Sequence, residues 1–63
     1  MNKGDVVSIF EDPVTEQKPE GKAMLVRKTR TPDVELGDGS HLEFWVVAFP
    51  HGEEAYRKIK VEA

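Results

Sequence analysis

The segment Phe44–Phe49 constrains this chain more than any other, because Phe-Trp-Val-Val-Ala-Phe is unbroken apolar sequence that stops at Pro50-His51-Gly52. Aromatic and β-branched residues in such a run predict a strand over 41–49, apolar on both faces. One face must be core, and the other then carries apolar side chains toward solvent. On pattern alone Leu42, Phe44, Val46 and Ala48 form the cleaner core set. In either register one large aromatic, Phe44 or Trp45, faces outward. Pro50 and Gly52 supply a tight turn, the proline by its fixed φ and the glycine at the final position.

The rest of the chain is punctuated at similar intervals. Residues 5–10, DVVSIF, predict a strand with Val7 and Ile9 on one face and Val6, Ser8 and Phe10 on the other. Residues 11–20, EDPVTEQKPE, hold two prolines and four acids and predict a long loop. In 22–30 Ala23 and Leu25 share one face of a further strand, with Lys22, Met24, Val26, Lys28 and Arg30 on the other. Gly37-Asp38-Gly39 carries hairpin-turn chemistry. In AYRKIKV at the end, Tyr56, Ile59 and Val61 are the apolar members and Lys58 breaks alternation, which suggests a 3₁₀ step before a very short last strand. Four or five short antiparallel strands without a convincing helix predict one all-β domain spanning 1–63, a small barrel or sandwich.

Composition narrows the function classes. The chain has 63 residues and no cysteine, so disulfides, thiolate metal sites and thiol nucleophiles are excluded. A domain of this size buries a modest core and is marginally stable alone. Nine basic against twelve acidic residues give a net charge of −3, which argues against a generic polyanion binder. No segment approaches the ~20 apolar residues of a membrane span. A cytoplasmic protein without membrane attachment is the expectation.

The order KGDVVSIF, long loop, EGKAMLV, turn, Trp-containing strand and short Gly turn resembles an SH3-like barrel. Lys3-Gly4-Asp5-Val6-Val7 and Glu20-Gly21-Lys22 are similar to the KOW type of that fold. The combination FEDPVTEQKPEGKAMLV with EFWVVAF also resembles small uncharacterised phage and prophage proteins. This resemblance covers roughly residues 3–61. It implies an SH3-like barrel and favours Trp45, Val47 and Phe49 as the inward set. The acidic 11–20 segment departs from the basic, Gly-rich loop of the KOW type, and no catalytic residue is implied.

Catalytic constellations are weak. Ser40 and His41 point to opposite faces of an extended strand, so Asp38, Ser40 and His41 do not make a hydrolytic relay. Glu53 and Glu54 diverge likewise. His41 and His51, even with Asp38 or Glu53, lack the converging ligands of a metal site. No enzyme activity, cofactor, metal or small-molecule substrate is therefore expected. The expected function is a non-enzymatic interaction module that binds a protein partner or its own copy through the outward face of strand 41–49. Phe44 or Trp45 is the anchor there, with Tyr56 and Arg57 at the rim, because aromatics and Arg dominate such contacts. The alternative is a nucleic-acid-binding barrel using Lys22, Arg27, Lys28 and Arg30 with Lys58 and Lys60, bases stacking on Phe44 or Tyr56.

Overall fold

The computed structural model describes residues 1–62. Five strands form one antiparallel sheet: β1 (Val6–Asp12), β2 (Gln17–Lys28), β3 (Val34–Glu35), β4 (His41–Ala48) and β5 (Glu54–Val61). There is no helix among the described residues. The all-β class expected from the sequence is what the chain forms. Its accessible surface, 4267 Å², lies close to the roughly 4,100 Å² that scaling gives for a folded chain of this mass.

β4 organises the sheet. Along one edge it pairs first with β3, through Val34–Leu42 and Glu35–His41, and then with β2, from Lys28–Trp45 to Met24–Ala48. Along its other edge it pairs with β5 over its whole length. β1 adds to the far side of β2. The sheet curls so that its outer strands, β1 and β5, touch, with no ladder recorded between them. Ile9, Ala23, Leu25, Trp45, Val47 and Ile59 fill the concave side, with Val7 and Phe49 packed against them. The register left open by the hydrophobic pattern therefore places Trp45 and Val47 inward.

Two bulges set which side chains go where, since one extra residue inverts every later side chain. Glu20 is extra between the pairs Ile9–Gly21 and Phe10–Pro19. Val26 is extra between Leu25–Val47 and Arg27–Val46. The Val26 bulge corrects the simple alternation read from 22–30: Arg27 joins the convex face, and Lys28 turns to the face that carries Trp45.

Residues 11–20 are not a long loop. β1 continues to Asp12 and β2 begins at Gln17, so only Pro13–Glu16 turns. Asp12 accepts hydrogen bonds from the amides of Val14 and Thr15, and Pro13 pre-sets φ at the next position, which together close a hairpin. Pro19 is tolerated because it lies beside a bulge, where the ladder is already interrupted. The closing segment is also corrected: β5 is one continuous strand from Glu54 with no 3₁₀ step. Ala55, Arg57, Ile59 and Val61 share its inward register, and Tyr56, Lys58 and Lys60 the outward one. The Gly37–Gly39 turn is confirmed, as a wider loop in which the Leu36 amide donates to the Ser40 carbonyl. At Pro50–Gly52 the Gly52 amide donates to the Phe49 carbonyl at 2.8 Å, the tight turn expected.

Candidate functional site

The convex face of the sheet is read directly from its register. Cross-strand rows run Arg27–Val46–Tyr56 and then Phe44–Lys58 and Leu42–Lys60. The Thr29 amide donates to the Phe44 carbonyl and extends the β2 edge by one residue. Beyond it the chain leaves β4 and returns as β3, so 29–33 forms a lip. On the opposite side the end of β1 approaches. Between them lies a groove of about 450 Å³ lined by Phe10, Glu11, Thr29, Thr31, Phe44, Tyr56, Arg57 and Lys58. Tyr56 is 68% exposed, whereas Phe10 and Phe44 are half-buried. A smaller hollow, about 240 Å³, also borders Tyr56, against Arg27, Val46, Glu54 and Ala55.

Of the proposed interaction residues, Phe44, Tyr56 and Arg57 thus meet in one groove. Trp45 does not. It is 4% exposed within the core, and its indole N–H donates to Glu43 at 2.9 Å, so Trp45 cannot serve as a surface anchor. Arg57 occupies an inward register position and escapes burial by reaching the carboxylate of Glu20. Its guanidinium also lies 5.7 Å from the centre of the Phe49 ring. Hydrogen bonding to Arg57 holds the Glu20 carboxyl below its ordinary range and raises Arg57 in turn.

The basic residues do not converge as one wall. Arg27, Lys58 and Lys60 share the convex face with Phe44 and Tyr56. Lys22 lies beside Val6, Met24 and Phe49 in a separate apolar hollow. Lys28, turned by the bulge, pairs with Asp33 at 3.0 Å. Arg30 sits exposed in the lip. Lys60 approaches Glu62 at 3.6 Å.

Asp38, Ser40 and His41 do not line up as a relay. Ser40 is buried, its hydroxyl and amide both bonded to Asp38, and His41 turns instead to Glu43 at 2.8 Å. His51 stacks on Phe49 in the β4–β5 turn and meets Glu53 at 3.1 Å. It is at the far end of β4 from His41, so the two histidines do not share a site.

Two groupings were not visible in the sequence. Phe10 and Glu11 reach the groove only because the hairpin extends β1. Asp33 meets His41 and Glu43 only because β3 pairs with the start of β4. There the ligand atoms of Asp33, His41 and Glu43 all lie within 4.8 Å of one another. The spacing His41-x-Glu43, two residues on one face of a strand, was the available signal. Comparison with protein-family models, with curated proteins and with solved structures gives no match.

Proposed function

We propose that this chain is a non-enzymatic interaction module whose groove receives an extended segment of a protein partner. The observation that carries the reading is the meeting of Tyr56, 68% exposed, with Phe10 and Phe44 in a single groove of about 450 Å³. Three aromatic walls on a rigid sheet are what an apolar anchor side chain needs, and aromatic residues dominate the energetics of such contacts. Thr29, Thr31, Glu11 and Lys58 around them supply hydrogen-bonding and charged groups for register. The order of elements from Lys3 to Val61 supports reading the curled sheet as an SH3-like barrel, and the absence of cysteine suits a cytoplasmic setting.

Selection of a random peptide library on the wild-type protein tests this reading. Enriched peptides should bind wild type and lose at least about tenfold in affinity against Tyr56→Ala and Phe44→Ala, the loss that about 1.4 kcal/mol at an aromatic anchor produces. Peptides that bind wild type and both variants equally would place the contact elsewhere. Sedimentation across concentrations shows whether a second copy of the chain occupies the groove instead.

A nucleic-acid reading has one observation in its favour: Arg27, Lys58 and Lys60 share the face of Phe44 and Tyr56. It requires oligonucleotide affinity that falls steeply with salt, by about one charge per phosphate neutralised. Binding that is absent, or insensitive to salt, removes it.

A further inference from the structure

At the opposite end of β4 from the Pro50 turn, three side chains present one nitrogen and two carboxylates to a common point. His41 and Glu43 stand on the same face of β4, two residues apart. Asp33, immediately before β3, is brought opposite Glu43 by the Val34–Leu42 pairing. His41 Nε2 lies 2.8 Å from Glu43 Oε2 and 3.8 Å from Asp33 Oδ2. Donors bound to one tetrahedral zinc ion at ~2.0–2.1 Å stand about 3.3 Å apart; the two separations from His41 bracket that distance, and all three ligand atoms lie within 4.8 Å of one another.

We propose that Asp33, His41 and Glu43 form a binding site for a first-row divalent cation, Zn²⁺ foremost, with water completing the coordination. Imidazole selects for this group of metals over magnesium or calcium, and the two carboxylates supply the charge. Two features distinguish the arrangement from a chance cluster of surface acids. The second oxygen of Glu43 accepts the Trp45 indole N–H at 2.9 Å, an outer contact to a core residue that fixes the ligand's orientation. The carboxylates are also already arranged around a cation: Lys28 Nζ lies 3.0 Å from Asp33 and 4.0 Å from Glu43. Lys28 belongs to this cluster only because of the Val26 bulge. Its ammonium is partly exposed and swings into water when the ion arrives. His41 then coordinates through Nε2 and carries its proton on Nδ1.

The chain contains one tryptophan, and it touches a proposed ligand, so the site has a built-in reporter. Untagged, metal-stripped protein is titrated with Zn²⁺ by calorimetry and with Ni²⁺ while Trp45 emission is followed. The expected result is one ion per chain, with Ni²⁺ quenching Trp45. His41→Gln and Asp33→Asn should each lower Zn²⁺ affinity at least about tenfold. His51→Gln, in the distant turn, should leave it unchanged. Lys28→Met removes the competing ammonium and should tighten binding several-fold. Circular dichroism confirms that each variant is folded, and Asp33→Asn carries the test should His41→Gln unfold. Zn²⁺ binding that survives both ligand variants overturns the proposal. So does the absence of saturable binding below 1 mM Zn²⁺, a dissociation constant worth only about −4.1 kcal/mol.

Discussion

Arg57 and Glu20, 37 positions apart, clasp the open side of the curled sheet: Nε and Nη2 of Arg57 donate to the two Glu20 carboxylate oxygens at 2.9 and 2.8 Å. Glu20 is free to reach across because it is the extra residue of a bulge, and Arg57 because β5 turns it inward. Arg57 also donates from Nη1 to the Tyr56 carbonyl at 2.8 Å. The clasp therefore joins β2 to β5 beside the aromatic groove.

The side chains of the pair are 32% and 26% exposed, so solvent screening limits its worth to about 0.5–1 kcal/mol despite two-point geometry. A double-mutant cycle of Arg57→Ala and Glu20→Ala, followed by urea denaturation, should return a coupling of that size. Arg57→Ala alone should cost more, about 1–2 kcal/mol, because the Phe49 contact and the Tyr56 carbonyl bond go with it. A coupling indistinguishable from zero would make the clasp incidental.

Acid should loosen the molecule through several carboxylates at once. Glu20 is held below 4.5 by the Arg57 hydrogen bonds, and Asp12 and Asp38 are held below 3.8 by hydrogen bonds from Thr15 and Ser40. Burial alone would push Glu43 up, but hydrogen bonds from His41 and Trp45 and the Lys28 charge bring it below 4.5. Folded values below the unfolded ones mean that this stability is fully present above the unfolded values and lost as pH falls through the folded ones. The contribution of these carboxylates should thus be complete at pH 7 and decline below about pH 5. Glu20→Gln should be less stable than wild type at pH 7 and decline less steeply. Denaturation midpoints measured across that range decide; parallel curves for the two proteins would remove Glu20 from the account.

How much of this was legible in the sequence follows from where local signals sufficed. The apolar run at 44–49 and the turn residues at 37–39 and 50–52 announced β4 and its flanking turns, because those signals act within a few residues. The 11–20 segment misled, since two prolines normally argue against a strand. Here Asp12-Pro13 makes the turn and a bulge accommodates Pro19, and a bulge has no short-range signature. The same limit concealed the placement of Lys28: alternation put it on one face with Lys22, and the Val26 bulge moved it to the other. Which way Tyr56 and Arg57 point was not legible either. The apolar residue of that pair points out and the charged one points in, because Glu20 offers Arg57 a partner that only the fold supplies.

Neighbouring aromatics on β4 should behave oppositely under substitution. Trp45→Ala empties a core position and should cost about 3–5 kcal/mol, enough to unfold a chain this small. Phe44 is half-buried at the edge of the groove, and Phe44→Ala should cost about 1–2 kcal/mol while leaving the sheet intact, since only part of its apolar area leaves contact. Thermal unfolding by circular dichroism checks both. A folded Trp45→Ala beside an unfolded Phe44→Ala would reverse the assignment of faces.

Backbone strain in β2 predicts two changes of opposite sign. Lys18 sits at φ 56, a left-handed conformation that costs an L-residue about 1–2 kcal/mol. Glycine removes that cost and adds about 0.5–1 kcal/mol of unfolded-chain entropy. Lys18→Gly should therefore stabilise the protein by a few tenths to about 1 kcal/mol. Gly21, next to the Glu20 bulge, has φ +103 and open space where a Cβ would be. Gly21→Ala should destabilise by about 1–3 kcal/mol through φ alone, because no neighbour is displaced. A chain of this length can be made by chemical synthesis, and D-alanine at 21 separates the causes. D-Alanine adopts positive φ freely and restricts the unfolded chain, so it should match or exceed glycine in stability. Equal losses for the L and D residues would mean that contact, not conformation, makes glycine necessary there.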